Sequence, residues 1–291
     1  MYHSVWIALL GLTLASLGVP ARAAEGAAGA ASRAAQLHVA EVSGGVKVDA
    51  GPLSFELRDA GGLRSLRIGE KVLATDNPAP LLAAEVFESK TYDGYRDAAP
   101  GKIVPAAWKP DGHDYRPHGK EFQATYSGRL DFGAGDALVC RLSLSAAAGS
   151  PLLGITVELQ PQGEFQDRFL RSVALRLPLA LNQRKRVVQA GDRGVQWNTR
   201  HWYQFHVSAT GTLLPEPDHN LWRLFAIDQN TAGDYHIWRS ESAVTCPLSM
   251  QRGLRAPGWM AVYDEQGGLL FAYRNMAERA PKSLRVMAEG A

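Results

Sequence analysis

Apolar and polar residues alternate along most of this chain, and this period of two constrains its fold more than any other feature. Val46-Lys47-Val48-Asp49 and Leu53-Ser54-Phe55-Glu56-Leu57 show the pattern that half-buried strands produce. Asp59-Ala60-Gly61-Gly62 then supplies the turn to the next apolar segment, as in a β-meander. The pattern predicts an all-β protein, a large antiparallel sandwich rather than an α/β fold.

The same alternation continues towards the C-terminus, with two departures. Residues 79–87 are predicted as the one short helix. Residues 91–119 are rich in Asp, Gly, Pro, Tyr and His, and are predicted as long loops around short strands. Further strands are predicted at residues 121–132, 137–146, 152–160, 171–177, 186–190, 202–207, 221–227, 235–239, 259–263, 269–273 and 283–287.

The N-terminus has the pattern of a secretory signal. Val5 to Val19 is an apolar run too short to span a bilayer, and Ala21-Arg22-Ala23 follows as a small-x-small cleavage pattern. Residues 1–4 contain no Lys or Arg, which departs from the usual signal. We expect a signal peptide at 1–23, a flexible leader at 24–44 and a β-sandwich domain at 45–291. The mature protein is then periplasmic or secreted, with no membrane span. Because a predicted strand lies close to the last residue, the domain could continue in a longer protein.

Composition, charge and cysteines limit the classes of function. With 46% hydrophobic and 21% charged residues, the chain can bury a full core. The net charge of +2 provides no basic field for a nucleic acid partner. Export permits a disulfide between Cys140 and Cys246, but alternation places Cys140 on the apolar face of its strand, where a buried thiol is the preferred interpretation.

Five of the seven tryptophans lie between Gln196 and Trp259, among histidines, arginines and amides. A sugar has apolar C–H faces that stack on aromatic rings, and hydroxyls that need directional donors and acceptors. This composition predicts a carbohydrate or polysaccharide ligand. A core that is rich in tryptophan would have the same composition, so both interpretations stay open.

One set of short motifs comprises Gly51-Pro52-Leu53-Ser54-Phe55-Glu56-Leu57, Gly62-Leu63-Arg64-Ser65-Leu66 and Gly69-Glu70-Lys71-Val72-Leu73. These motifs resemble the opening strands of galactose-mutarotase-like β-supersandwiches. A second set, in the later half, comprises Phe169-Leu170-Arg171-Ser172, Gly191-Asp192, Gln196-Trp197, Ala256-Pro257-Gly258-Trp259, Gly267-Gly268 and Ala280-Pro281-Lys282-Ser283-Leu284. This set resembles the central sandwich of exo-rhamnogalacturonan-lyase-like proteins. The resemblance implies a sugar-binding sheet face and a polysaccharide lyase-like activity on uronic-acid-containing polysaccharide.

A lyase acting on a uronic acid must neutralise the carboxylate, remove the proton at C5 and protonate the leaving oxygen, for which Arg, His and Tyr are suited. Alternation groups the even-numbered side chains of residues 200–206 on one polar face, and likewise groups His236 with Trp238. If the strand begins later than residue 200, Tyr203 becomes a candidate for the base that removes the proton. The predicted catalytic residues are Arg200, Tyr203, His206 and His236, and the predicted substrate-binding residues are Trp202, Gln204, Trp222, Trp238 and Arg239.

Other chemistries have weaker sequence support. A glycosidase needs two facing carboxylates, and no spacing selects a pair among Glu216, Asp218, Asp228 and Asp234. The motifs of serine hydrolases, P-loops and dinucleotide sites are absent. His113-Asp114 and His118 are too loosely spaced to predict a metal site, and no cofactor is indicated. Three interpretations stay open: a lyase-type enzyme, a non-catalytic sugar-binding module, and a structural exported domain whose tryptophans form the core.

Overall fold

The computed structural model describes residues 2–8, 36–76, 80–88, 101–180, 187–190, 224–230, 234–240, 248–254, 256, 258–264, 267–273 and 282–287. Within these ranges the regular elements are strands, with no helix, which confirms the predicted all-β class. In chain order they are β1 (Tyr2–Ala8), β2 (His38–Val42), β3 (Gly45–Asp49), β4 (Leu53–Arg58), β5 (Leu63–Ile68), β6 (Lys71–Ala74), β7 (Leu82–Glu88), β8 (Lys102–His118), β9 (Glu121–Gly133), β10 (Asp136–Ala147), β11 (Leu152–Gln162), β12 (Arg168–Leu175), β13 (Val187–Ala190), β14 (Leu224–Gln229), β15 (Asp234–Ser240), β16 (Leu248–Leu254), β17 (Trp259–Asp264), β18 (Gly267–Tyr273) and β19 (Lys282–Met287).

The chain divides into two compact units. The first contains Met1–Ser4 and Ser32–Ala180, and the second contains Val5–Ala31 and Leu181–Ala291. In the first unit, β2 to β6 form the predicted meander in sequence order, and a longer sheet has the order β12-β7-β8-β9-β10-β11. The neighbouring strands run antiparallel, as between β9 and β10.

The two sheets of the first unit share one core. Phe55 of β4 meets Phe122 of β9 edge to face, with ring centroids 5.9 Å apart. Burial follows the sequence alternation, because Phe122, Ala124 and Tyr126 are buried while the residues between them face outwards. Burying each large apolar side chain contributes about 1.5–3 kcal/mol, so the alternating pattern itself drives the two faces together.

Cys140 occupies the core position that its sequence context predicts. It is a free thiol between Leu138 and Leu142 on β10, and all three side chains are buried. Loss of solvent raises the pKa of the Cys140 thiol to about 12. Cys246 lies outside the described residues.

The helix predicted at residues 79–87 is wrong, because residues 82–88 form β7. Leu82, Ala84 and Val86 are buried in alternation, which is a strand period. β7 pairs with β12 on one side and with β8 on the other. Two ladders of backbone hydrogen bonds override the helix propensity of its Ala, Leu and Glu residues.

The loops predicted across residues 91–119 are also wrong where the structure describes them. Residues 102–118 form β8, a single strand of 17 residues. Its register with β9 shifts between Pro110 and Gly112, so that Asp111 bulges out of the ladder. A bulge accommodates proline and glycine inside a long strand, which explains how a turn-rich composition can be extended.

The second unit contains two groups of described strands. One has the order β1-β18-β17-β13, in which β1 contributes residues 5–8, and the other is a four-stranded sheet with the order β16-β15-β14-β19. The strands predicted around residues 221–227, 235–239, 259–263, 269–273 and 283–287 are confirmed, with ends that move by up to a few residues. Tyr235 and Ile237 of β15, with Ile227 of β14, are buried on one face of the four-stranded sheet.

Candidate functional site

Polar side chains gather on the other face of the four-stranded sheet. Asp228 of β14 lies directly opposite His236 of β15 and, on its other side, opposite Ser283 of β19. Residues in such positions project to the same face with Cβ atoms about 4.5–5.5 Å apart. Arg285 follows Ser283 by two residues and therefore shares this face. We call Asp228, His236, Ser283 and Arg285 the Asp228 cluster.

Alternation along each strand explains why this face is polar. On β19, Leu284 and Val286 are buried, whereas Ser283 is half-buried and Arg285 is exposed. On β15, His236 is half-buried between the buried Tyr235 and Ile237. The apolar set anchors the sheet to the core, and the intervening polar set is left facing outwards.

One carboxylate oxygen organises the Asp228 cluster. Oδ1 of Asp228 accepts hydrogen bonds from Nε of Arg285 at 3.2 Å and from Nη2 at 2.9 Å. The hydroxyl of Ser283 donates to the same oxygen. With side chains 28% and 50% exposed, the Asp228–Arg285 pair contributes on the order of 1 kcal/mol or less to stability. The pair fixes the orientation of the Asp228 carboxylate, whose residue lies opposite His236 in the sheet.

The structure describes three of the predicted site residues. His236 lies on the polar face, as alternation predicts. In the register of β15 with β14, Trp238 lies opposite Ala226 and Arg239 lies opposite Phe225. Arg200, Trp202, Tyr203, Gln204, His206 and Trp222 lie outside the described residues, so their association with His236 stays a prediction.

Sequence reasoning missed two members of the Asp228 cluster. The sequence places Ser283 and Arg285 only within a predicted strand, and it offers Asp228 only as one of four carboxylates among which no spacing selects a pair. The signal for Ser283 and Arg285 is the alternation in Lys282-Ser283-Leu284-Arg285-Val286. The pairing of β19 with β14, which brings them to Asp228, has no local signal.

A second polar cluster lies in the first unit, where the turn after β4 meets β8 and β9. The hydroxyl of Tyr115 donates to Oδ1 of Asp59 at 2.9 Å, and Nε2 of His113 lies 3.3 Å from the same oxygen. Tyr126 lies beneath them, its hydroxyl 3.1 Å from that of Tyr115. We call Asp59, His113, Tyr115 and Tyr126 the Asp59 cluster.

Burial keeps the two tyrosines of the Asp59 cluster neutral. Loss of solvent raises the pKa of Tyr115 to about 12, and the nearby charge of Asp59 acts in the same direction. The pKa of the fully buried Tyr126 is raised further by the same cause. Tyr115 is therefore a hydrogen-bond donor to Asp59 at neutral pH, not a base.

His113 and Asp114, which were considered for a metal site, lie on opposite faces of β8. His113 lies opposite Tyr126 in the register with β9, whereas Asp114 lies opposite Thr125 and pairs with Arg116. The surface loop predicted here is wrong, since these residues belong to β8. Across the described ranges, no three His, Cys, Asp or Glu side chains are arranged to hold a metal ion.

The later part of the chain is similar to a known domain family. A family model described as PcRGLX-like protein central beta sandwich domain matches residues 153–290. This stretch is similar to a PcRGLX-like central β-sandwich. The match confirms the resemblance to the central sandwich of rhamnogalacturonan-lyase-like proteins that the sequence motifs predict. A comparison with curated proteins finds no match.

The PcRGLX-like stretch covers slightly less than half of the chain. It contains the Asp228 cluster, whereas the Asp59 cluster lies before it. In the part of the chain that the structure describes, no helix has the length and apolar character needed to cross a membrane.

Proposed function

We propose that this protein is an exported carbohydrate-active protein of polysaccharide lyase type, which acts on or binds uronic-acid-containing polysaccharide. The supporting observation is the Asp228 cluster, which lies within the residues that match a PcRGLX-like central sandwich. Residues 1–23 have the pattern of a secretory signal, which supports export, and their removal would take away β1 and its pairing with β18. N-terminal sequencing of exported protein should begin at Ala24, and a sequence beginning at Met1 would contradict cleavage.

The chemistry of the Asp228 cluster suits a sugar. Asp228 and Ser283 offer oxygen atoms that accept hydroxyl hydrogens, and Arg285 offers several N–H donors. An imidazole such as that of His236 can remove a proton from carbon or oxygen near neutral pH. A neighbouring carboxylate would hold the imidazole in the orientation that this step requires, as in other oriented histidines.

A non-catalytic sugar-binding module is the second candidate, and one observation favours it. Nε and Nη2 of Arg285 already donate hydrogen bonds to the Asp228 carboxylate. A guanidinium that is paired in this way neutralises a substrate carboxylate less well than an unpaired one. It can still donate hydrogen bonds to hydroxyls, which is sufficient for binding.

The test uses the purified full chain with a panel of acidic and neutral polysaccharides. Turnover of an acidic polymer is followed by the ultraviolet absorbance of the unsaturated product, and binding is followed by calorimetry. We expect His236→Ala to abolish turnover and Arg285→Ala to weaken binding about tenfold. Arg129→Ala, which removes an exposed arginine of β9, is the matched control. Binding without turnover would support the non-catalytic sugar-binding module. Absence of both binding and turnover would refute both candidate functions.

A further inference from the structure

We propose that the Asp59 cluster is a second ligand site, on the first unit, that binds a neutral polyhydroxylated ligand such as an uncharged sugar. This site is separate from the Asp228 cluster and lies outside the residues that match a known family. The inference therefore goes beyond the function proposed for the second unit.

Two atoms of the cluster, one on Asp59 and one on His113, take no part in the contacts that hold the cluster together. The contacts of Asp59 with Tyr115 and His113 both end on Oδ1. Among the described residues, nothing bonds to Oδ2 of Asp59 or to Nδ1 of His113. The side chains of His113 and Asp59 are 37% and 42% exposed, so a ligand can reach both.

Both atoms can act as acceptors. When the proton of the His113 imidazole is on Nε2, the nitrogen beside Asp59, Nδ1 carries a lone pair. Oδ2 of Asp59 is likewise an acceptor. Neighbouring acceptors need a ligand with neighbouring O–H donors, which is what a polyol or a sugar presents.

The cluster is held in place before a ligand arrives. The hydroxyl of the buried Tyr126 donates to the backbone carbonyl of Arg58 at 3.0 Å. Tyr115 lies against Tyr126 with ring centroids 6.1 Å apart, and its hydroxyl fixes the Asp59 carboxylate. A site of this kind loses little conformational entropy on binding, which favours affinity.

An aromatic surface adjoins the acceptors. The rings of His113 and Tyr115 have centroids 4.8 Å apart and planes tilted by 34°. The C–H face of a sugar can rest on the exposed part of the His113 ring while its hydroxyls reach Asp59.

The charges around the cluster select against anionic ligands. Asp59 is a carboxylate, and the nearby cation Arg58 is already paired with Asp76. A ligand carboxylate would meet two acceptor atoms and a like charge, which costs binding energy. An uncharged ligand avoids this repulsion, so the site should discriminate against uronic acids.

The experiment follows the histidine side-chain resonances of the isotope-labelled full chain by NMR. Glucose, galactose, glycerol and galacturonate are titrated into the millimolar range, with His113 assigned from the spectrum of His113→Ala. We expect the His113 ring signals to shift with at least one neutral probe and to shift less with galacturonate. Asp59→Asn should weaken the response about tenfold, because the amide no longer provides a charged acceptor.

His118→Ala is the matched control, because His118 is exposed on the same strand and should leave the titration unchanged. Thermal unfolding of Asp59→Asn then separates a binding role from one in stability alone. If no neutral probe shifts His113, or if galacturonate shifts it equally, the inference is overturned. Since His113 lies in the first unit, either result is independent of the assays of His236 and Arg285.

Discussion

Oε1 of Gln229 accepts a hydrogen bond from the backbone N–H of Ala256 at 3.1 Å, and both residues are buried. This bond connects the end of β14 to the segment that precedes β17. The backbone N–H of Tyr273 donates to the carbonyl of Gly258 at 2.7 Å and holds the same segment from β18. Ala256 and Gly258, just before Trp259, are therefore held by β14 and by β18.

Gln229→Leu should destabilise the protein, because it leaves the buried N–H of Ala256 without this acceptor. We expect a loss of about 1–3 kcal/mol in the free energy of unfolding. Gln123→Leu, at an exposed position on β9, should change it by less than about 0.5 kcal/mol. Urea denaturation of both variants measures the difference, and equal effects would contradict the role of the Gln229 side chain.

Tyr126→Phe tests the bond that joins β9 to the end of β4. The substitution keeps the buried ring but leaves the carbonyl of Arg58 without the hydroxyl that donates to it. The expected cost is about 1–3 kcal/mol, measured by chemical denaturation. Stability equal to that of the wild type would mean that the carbonyl finds another donor.

The stability of the protein should fall as the pH rises from 10 to about 12. Burial raises the pKa of Tyr115 from 10.0 to about 12, so the unfolded chain loses this proton first. The stability contributed by the neutral phenol is complete below pH 10. It is lost as the pH rises through the pKa that Tyr115 has in the folded protein. Between pH 10 and 12, the free energy of unfolding should fall less steeply for Tyr115→Phe than for the wild type. Identical slopes would contradict the raised pKa.

Cys140 should be unreactive in the folded protein. At pH 8, a pKa of about 12 in place of 9.0 lowers its thiolate fraction about a thousandfold, and burial blocks access as well. In a Cys246→Ser background, a thiol reagent should label the folded protein at least about a hundredfold more slowly than the chain in denaturant. Rapid labelling of the folded protein would show that the core around Cys140 opens.

Trp238→Ala distinguishes a sugar-binding tryptophan from a core one. Alternation along the strand predicts that Trp238 shares the face of His236, so the substitution should weaken sugar binding by roughly 1 kcal/mol with little change in melting temperature. A tryptophan in the core would instead cost about 3–5 kcal/mol of stability. Calorimetric binding and thermal unfolding of the same variant separate the two results.

Local patterns in the sequence were sufficient for most of the fold. The alternation in β4, β9 and β10 predicted both the strands and the buried face, including the position of Cys140, because a period of two is a property of neighbouring residues. The errors at β7 and β8 have the opposite cause. Their Ala-, Pro- and Gly-rich compositions indicate helix or loop locally, but pairing with strands on both sides determines their conformation.

The sequence by itself determined the all-β class, the apolar face of most strands and the resemblance of the later half to a known sandwich. Only the tertiary structure decided which polar residues meet. Asp59 contacts His113, and Asp228 contacts Ser283 and Arg285, across large separations in the chain. Such contacts depend on which strands pair and in which register, and the free energy of that pairing comes from the shared core rather than from the polar residues themselves.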